Sequence, residues 1–229
     1  MHFRESFYTL LCGIFLTSLT LGNVVGVTKF VHLGPFDIPA GLLAYPFTFL
    51  ATDLICELYG KKRAQNLVLV GFGMNVFMLF LMWLGHTLPD ASGVSGATST
   101  FETVWSFMKP NVVSSMIAYL IAQTVDVHLF HFWRRVTKGK HLWLRNNGST
   151  MGSQMIDTFT ILTILYVSGG LGADIDSVAK LLPLMLSSYA FKVVFALADT
   201  PLFYLGVHLL KDRVGTVEEL QTQPGGRSP

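Results

Sequence analysis

Six stretches, each at least as long as the roughly 20 apolar residues that carry an α-helix across a bilayer, dominate this sequence. They run over Phe7–Phe30, Ile38–Tyr59, Asn66–Leu88, Val112–Trp133, Ser149–Gly169 and Leu181–Leu210. A backbone surrounded by hydrocarbon must satisfy its own hydrogen bonds, so such stretches fold as helices and pack as a bundle. Charged residues make up only 13% of the chain, too few to cover a domain in water. The expected fold class is an all-α membrane protein of six transmembrane helices over residues 1–213. A polar, disordered cytosolic tail follows over 214–229, with Pro224-Gly225-Gly226 within it. The first apolar run exceeds the roughly 7–15 residues of a signal-peptide core, and no small-residue cleavage site follows it.

The basic residues set the orientation. Arg4, the run Lys61-Lys62-Arg63, the loop residues Arg134, Arg135, Lys138, Lys140 and Arg145, and Lys211, Arg213 and Arg227 fall on one side, twelve in all. Lys29, Lys109 and Lys180 make three on the other side. Lys and Arg are retained in the cytosol, so both termini are expected there. This placement accounts for the basic loops without a nucleic-acid partner, and the net charge of +2 offers no large basic surface. Among the connections, Gly34 and Pro35 predict a tight turn over Val31–Asp37. Pro89–Asn111 reads as the longest connection, with Phe101–Met108 on the membrane surface. Gly22-x-x-x-Gly26 predicts a close helix-packing face, within one chain or between two.

Ionisable residues inside the spans are the functional signal, because each costs about 2.5–3.5 kcal/mol at mid-bilayer. Asp53 and Glu57 lie in the second span, Asp126 in the fourth, Asp157 in the fifth, and Lys192 and Asp199 in the sixth. Gln123-x-x-Asp126 and Gln154-x-x-Asp157 repeat one pattern, and i,i+3 spacing puts each Gln and Asp on one helix face. Carboxylates accept hydrogen bonds and amides both donate and accept. Two such pairs suit a flat ligand with adjacent N–H donors beside a carbonyl, such as a guanine-like edge. Tyr45, Phe49, Phe159, Tyr189 and Phe191 are candidates to cover its ring. Spacing alone leaves amino acids, ions and protons open. The structural alternative is that Lys192 pairs with one aspartate and only holds helices together. Cys12 and Cys56 lie inside apolar runs and match no disulfide framework or metal spacing. No phosphate-binding Gly-rich loop, zinc motif or nucleophile elbow is present in the sequence, so neither an enzyme nor a self-energised pump is expected.

Several runs resemble the queuosine precursor transporter family, a group of vitamin-uptake-like transporters. They are Ala40-Gly41, Tyr45-Pro46-Phe47-Thr48-Phe49-Leu50-Ala51-Thr52-Asp53, Glu57-Leu58-Tyr59-Gly60-Lys61-Lys62, Ala118-Tyr119, Gln123-Thr124-Val125-Asp126-Val127 and Tyr189-Ala190-Phe191-Lys192. The resemblance covers about Gly22 to Leu205. It implies a six-helix importer in the bacterial cytoplasmic membrane for 7-cyano-7-deazaguanine, 7-aminomethyl-7-deazaguanine or both. These are precursors of the tRNA base queuosine. It also implies a fold similar to the S-components of energy-coupling-factor importers, with no cofactor. By motif, Asp53, Gln123, Asp126, Gln154, Asp157 and Lys192 become the expected ligand-site residues, joined by Asn23 and Tyr45. The expected partners are the deazaguanine substrate and membrane lipid. A homodimer and a separate energising subunit stay open; in the latter case the chain is a substrate-capture component.

Overall fold

A computed structural model describes residues 2–91, 95–138, 142–173 and 175–214. The elements run α1 (His2–Val25), β1 (Phe30–Leu33), β2 (Phe36–Pro39), a 3-10 turn (Ala40–Ala44), α2 (Tyr45–Tyr59), α3 (Lys61–Thr87), α4 (Ser95–Val136), α5 (Leu142–Val167) and α6 (Val178–Val214). Among the described residues, five helical segments are long and apolar enough to cross a membrane: Phe3–Val25, Ala40–Tyr59, Lys61–Thr87, Thr98–Trp133 and Val178–Leu210. The fifth helix of the expected six is present as α5, but Asn146, Asn147, Gln154 and Asp157 dilute its apolar character and it is not among these five. The expected disordered tail lies outside the described residues, apart from Val214, which ends α6.

Two expectations change. The chain is not purely helical, because the tight turn at Gly34-Pro35 closes an antiparallel hairpin pairing Phe30 with Pro39 and Leu33 with Phe36. Gly34 sits at φ +59°, a left-handed position that glycine adopts without a Cβ penalty. The Pro89–Asn111 connection is also mostly helix. α4 begins at Ser95 and continues through Pro110 for 42 residues, about 63 Å at 1.5 Å per residue. The hydrocarbon core is about 30 Å thick, so α4 extends well beyond it. Pro110 lacks the N–H that would bond the Ser106 carbonyl, which marks the point where such a helix bends. Trp105 and Met108, expected on the membrane surface, are buried.

The chain divides into two compact units. The first comprises α1 up to Gly22, the segment Leu43–Met78, and α6 from Val194. Its core joins Leu11 and Phe15 of α1 with Ala51, Leu54, Ile55 and Leu58 of α2 and Leu67 of α3, while Phe203, Val207 and Leu210 of α6 pack on it. Small residues permit this closeness: a Cβ on Gly71 would stand 2.8 Å from Leu19, and one on Gly206 3.1 Å from Leu54. Gly60, at φ +97°, ends α2, and α3 starts at the next residue. Lys61, Lys62 and Arg63 therefore occupy the first turn of α3, where the helix dipole disfavours cations. Arg63 is compensated by Glu5 at 3.6 Å and by the faces of Tyr8 and Tyr59.

The second unit comprises Asn23–Leu42 and Leu79–Val193. Val27, Leu162, Leu165, Leu171, Leu181, Leu184 and Met185 form its apolar core. The hairpin docks here: the Asp37 N–H donates to Ser187 Oγ at 2.8 Å, and Phe36 meets Phe191 edge-on at 5.9 Å. Gly26 does not continue a packing face on α1. It lies just past the helix end at φ +34°, buried against Asn111, whose side-chain amide donates to the Asn23 carbonyl at 3.0 Å.

Candidate functional site

Three helices of the second unit bring ionisable side chains together. Lys192 of α6 donates to Asp157 of α5 at 2.8 Å, and the two side chains are only 3% and 10% exposed. An isolated charge there would carry a large desolvation cost; the partner offsets it. One turn earlier on α5, Ser153 is buried and donates to Asp126 of α4 at 3.1 Å and to the Thr150 carbonyl at 3.0 Å. The result is a polar band from Asp126 through Ser153 and Asp157 to Lys192. Asp126 and Asp157 thus lie along one polar strip, with Ser153 as the link between helices. Sequence reasoning missed Ser153; its position one turn before Asp157 on the same face was the available signal.

A second missed residue is Ser188, one turn before Lys192 on α6. It is buried, and its hydroxyl has no hydrogen-bond partner among the described residues. A buried hydroxyl without a partner costs about 1–3 kcal/mol, and such groups are few in native proteins. Tyr189 donates to the Met151 carbonyl at 3.2 Å, tying α6 to α5, and Phe191 is buried beside Lys192.

The remaining expected residues divide by unit. Gln154 is half-buried on α5, and its backbone carbonyl accepts from the Thr158 hydroxyl at 2.9 Å. Gln123 is exposed on α4. Asn23 is buried, and its backbone carbonyl accepts from the Asn111 side-chain amide. Asp53 and Tyr45 belong to the first unit. There Tyr45 meets Phe49 edge-on at 4.6 Å, and its carbonyl accepts from Thr48. Asp53 is exposed on α2.

Chemically, the band offers carboxylate acceptors, one buried ammonium and one unpaired hydroxyl within apolar helices. That combination can exchange an internal ion pair for hydrogen bonds to a polar ligand. No cluster of three or more metal-ligating side chains occurs among the described residues.

Comparison with known proteins gives this arrangement a context. The profile of the family described as "Putative vitamin uptake transporter" matches residues 39–206. The chain is 31% identical over 179 residues to the "Probable queuosine precursor transporter" of Bacillus subtilis (strain 168), covering 78% of this chain and 75% of that one. It is 24% identical over 188 residues to the "Queuosine precursor transporter" of Escherichia coli (strain K12), covering 81% and 80%. No solved structure matches it. The matched region runs from the end of the hairpin to the last third of α6 and includes Asp126, Asp157 and Lys192. The chain belongs to the vitamin uptake transporter family.

Proposed function

We propose that this chain imports queuosine precursors, 7-cyano-7-deazaguanine, 7-aminomethyl-7-deazaguanine or both, across the cytoplasmic membrane of a bacterium. The names of its relatives support the cargo, and the buried Asp157–Lys192 pair supports the site. The N–H and exocyclic amino group of a deazaguanine form a two-donor edge. That edge replaces the Lys192 ammonium at Asp157, and Lys192 turns to the ring carbonyl. Asp126, Gln123 and Gln154 complete the polar contacts, with the Ser188 hydroxyl as a further partner. Phe159, Tyr189 and Phe191 cover the ring. Lys192 neutralises Asp157 again once the cargo leaves, so no unpaired charge stays in the bilayer. The fold we propose has six spans, α5 included, with both termini cytosolic, similar to the S-components of energy-coupling-factor importers.

The test is the queuosine content of tRNA in cells that cannot make the precursors, fed a low external dose. Restoration by the intact protein and its loss in Asp157→Asn, at equal membrane abundance, is the expected outcome. If tRNA stays unmodified with the intact protein, while a second transporter restores it, the cargo assignment fails. Restoration only when an ATPase partner is co-expressed would make the chain a capture subunit.

A further inference from the structure

Four serines are buried among the described residues: Ser114, Ser149, Ser153 and Ser188. Ser114 donates to the Pro110 carbonyl at 2.6 Å, the i−4 bond open to any helical serine. Ser153 bonds Asp126 and the Thr150 carbonyl, and Ser149 also has a partner. Ser188 differs. It is 2% exposed, and its hydroxyl bonds neither the Leu184 carbonyl nor any other group among the described residues. Alanine would fill nearly the same space without an unpaired polar group, so packing alone does not account for this hydroxyl.

Its place on α6 limits what the hydroxyl can reach. Ser188 and Lys192 are four residues apart, so they share a helix face, with Cβ atoms roughly 5–6 Å from each other. Helical side chains lean toward the N-terminus, which carries the Lys192 ammonium toward the turn of Ser188. The residues around it are committed to other bonds. Ser187 accepts from the Asp37 N–H at 2.8 Å, Tyr189 donates to the Met151 carbonyl at 3.2 Å, and Lys192 donates to Asp157 at 2.8 Å. Ser188 therefore adds an unspent O–H donor and two acceptor lone pairs one turn from the ammonium.

The next step rests on the cargo reading proposed above, in which Lys192 turns to the ring carbonyl. In a 7-substituted 7-deazaguanine, the carbonyl carbon and the substituted carbon are both bonded to one ring carbon. The carbonyl and the substituent therefore project side by side from the same edge. With the carbonyl at Lys192, a hydroxyl one helical turn away meets the substituent. It donates to the nitrogen of a nitrile, and it accepts from the ammonium of an aminomethyl group. We infer that Ser188 is a specificity-determining residue that reads the 7-substituent and separates substituted deazaguanines from the bare ring. A site that hydrogen-bonds a substrate group discriminates against the analogue that lacks it.

The test is equilibrium binding to the full chain in detergent. The probes are labelled 7-cyano-7-deazaguanine and 7-aminomethyl-7-deazaguanine, and unsubstituted 7-deazaguanine is the competitor. Binding needs no energising subunit, so the test serves an importer and a capture subunit alike. The intact protein is expected to hold at least one substituted form roughly tenfold tighter than the bare ring, the contribution of about one hydrogen bond. Ser188→Ala is expected to lose that ratio by weakening the substituted form alone, with a melting temperature unchanged or raised. A ratio that survives in Ser188→Ala overturns the inference and leaves the cargo reading standing. So does an intact protein that holds the bare ring as tightly as the substituted forms. Equal weakening of all three compounds in Ser188→Ala, with a fall in melting temperature, also overturns it, since Ser188 would then be a structural brace. An intact protein that binds none of the three overturns the cargo reading and the inference together.

Discussion

At the scale of single residues, the question is whether Lys192 and Asp157 hold the protein together or hold its cargo. The two roles separate by experiment. Lys192→Met leaves the Asp157 carboxylate without its cation at a buried position, and breaking such a pair from one side costs about 3–5 kcal/mol. Replacing both residues, as Lys192→Met with Asp157→Leu, removes both charges and most of that penalty. We expect thermal unfolding in detergent to show a large loss for the single variant and near-recovery for the double. Uptake is expected to be abolished in both. A double variant that is stable and still transports would reduce the pair to a structural brace. The charged members of the band were legible in the sequence, because an ionisable residue in an apolar span stands out by its cost. Ser153 and Ser188 were not, since serine is common in membrane helices and only burial and missing or shared partners distinguish these two.

At the scale of elements, local geometry decides what each glycine does. Gly26 closes α1 at φ +34° and lies against the Asn111 side chain, whose Cγ would be 2.9 Å from an added Cβ. Gly26→Ala is strained by its backbone and displaces the amide that caps the Asn23 carbonyl, for an expected loss of about 1–3 kcal/mol. Gly13 is the control: it is helical, with nothing within 4 Å of an added Cβ, so Gly13→Ala is neutral or slightly stabilising. Melting temperatures of the two variants check both statements, and equal temperatures would contradict the assignment of Gly26 to a strained turn. The sequence shows two glycines four apart at the end of an apolar run, which reads as a helix face. It does not show where the helix stops. The same limit explains the hairpin and α4. Gly34-Pro35 announces a turn, but β1 and β2 are four residues each, too short for alternation to register against apolar neighbours. The Ser-, Gly- and Thr-rich stretch before Asn111 reads as a loop by composition, yet from Ser95 onward it is helical, with Trp105 and Met108 supplying its buried side.

At the scale of the whole molecule, the number of crossings decides on which side the C-terminus lies. Five segments pass on hydropathy, and an odd number would put the termini on opposite sides. α5 has 26 residues, about 39 Å at 1.5 Å per residue, long enough for a hydrocarbon core of about 30 Å. Its polar residues include Ser153, Gln154 and Asp157, and Ser153 and Asp157 bond to neighbouring helices. Low hydropathy of this kind is what a helix in a bundle interior would show, since polar groups there are satisfied by protein. The distribution of cations gives an independent argument. With α5 crossing, twelve Lys and Arg residues face the cytosol and three face outward. Without it, Lys180 moves inward while Lys211, Arg213 and Arg227 move outward, and the ratio falls to ten against five. The positive-inside rule therefore favours six crossings. A green fluorescent protein fused after Val214 should fluoresce, and an alkaline phosphatase at the same point should be inactive. The same phosphatase inserted at Ala173, between α5 and α6, should be active. The reverse pattern at both points would leave α5 on the cytosolic side, and with it the Asp157–Lys192 pair outside the membrane interior.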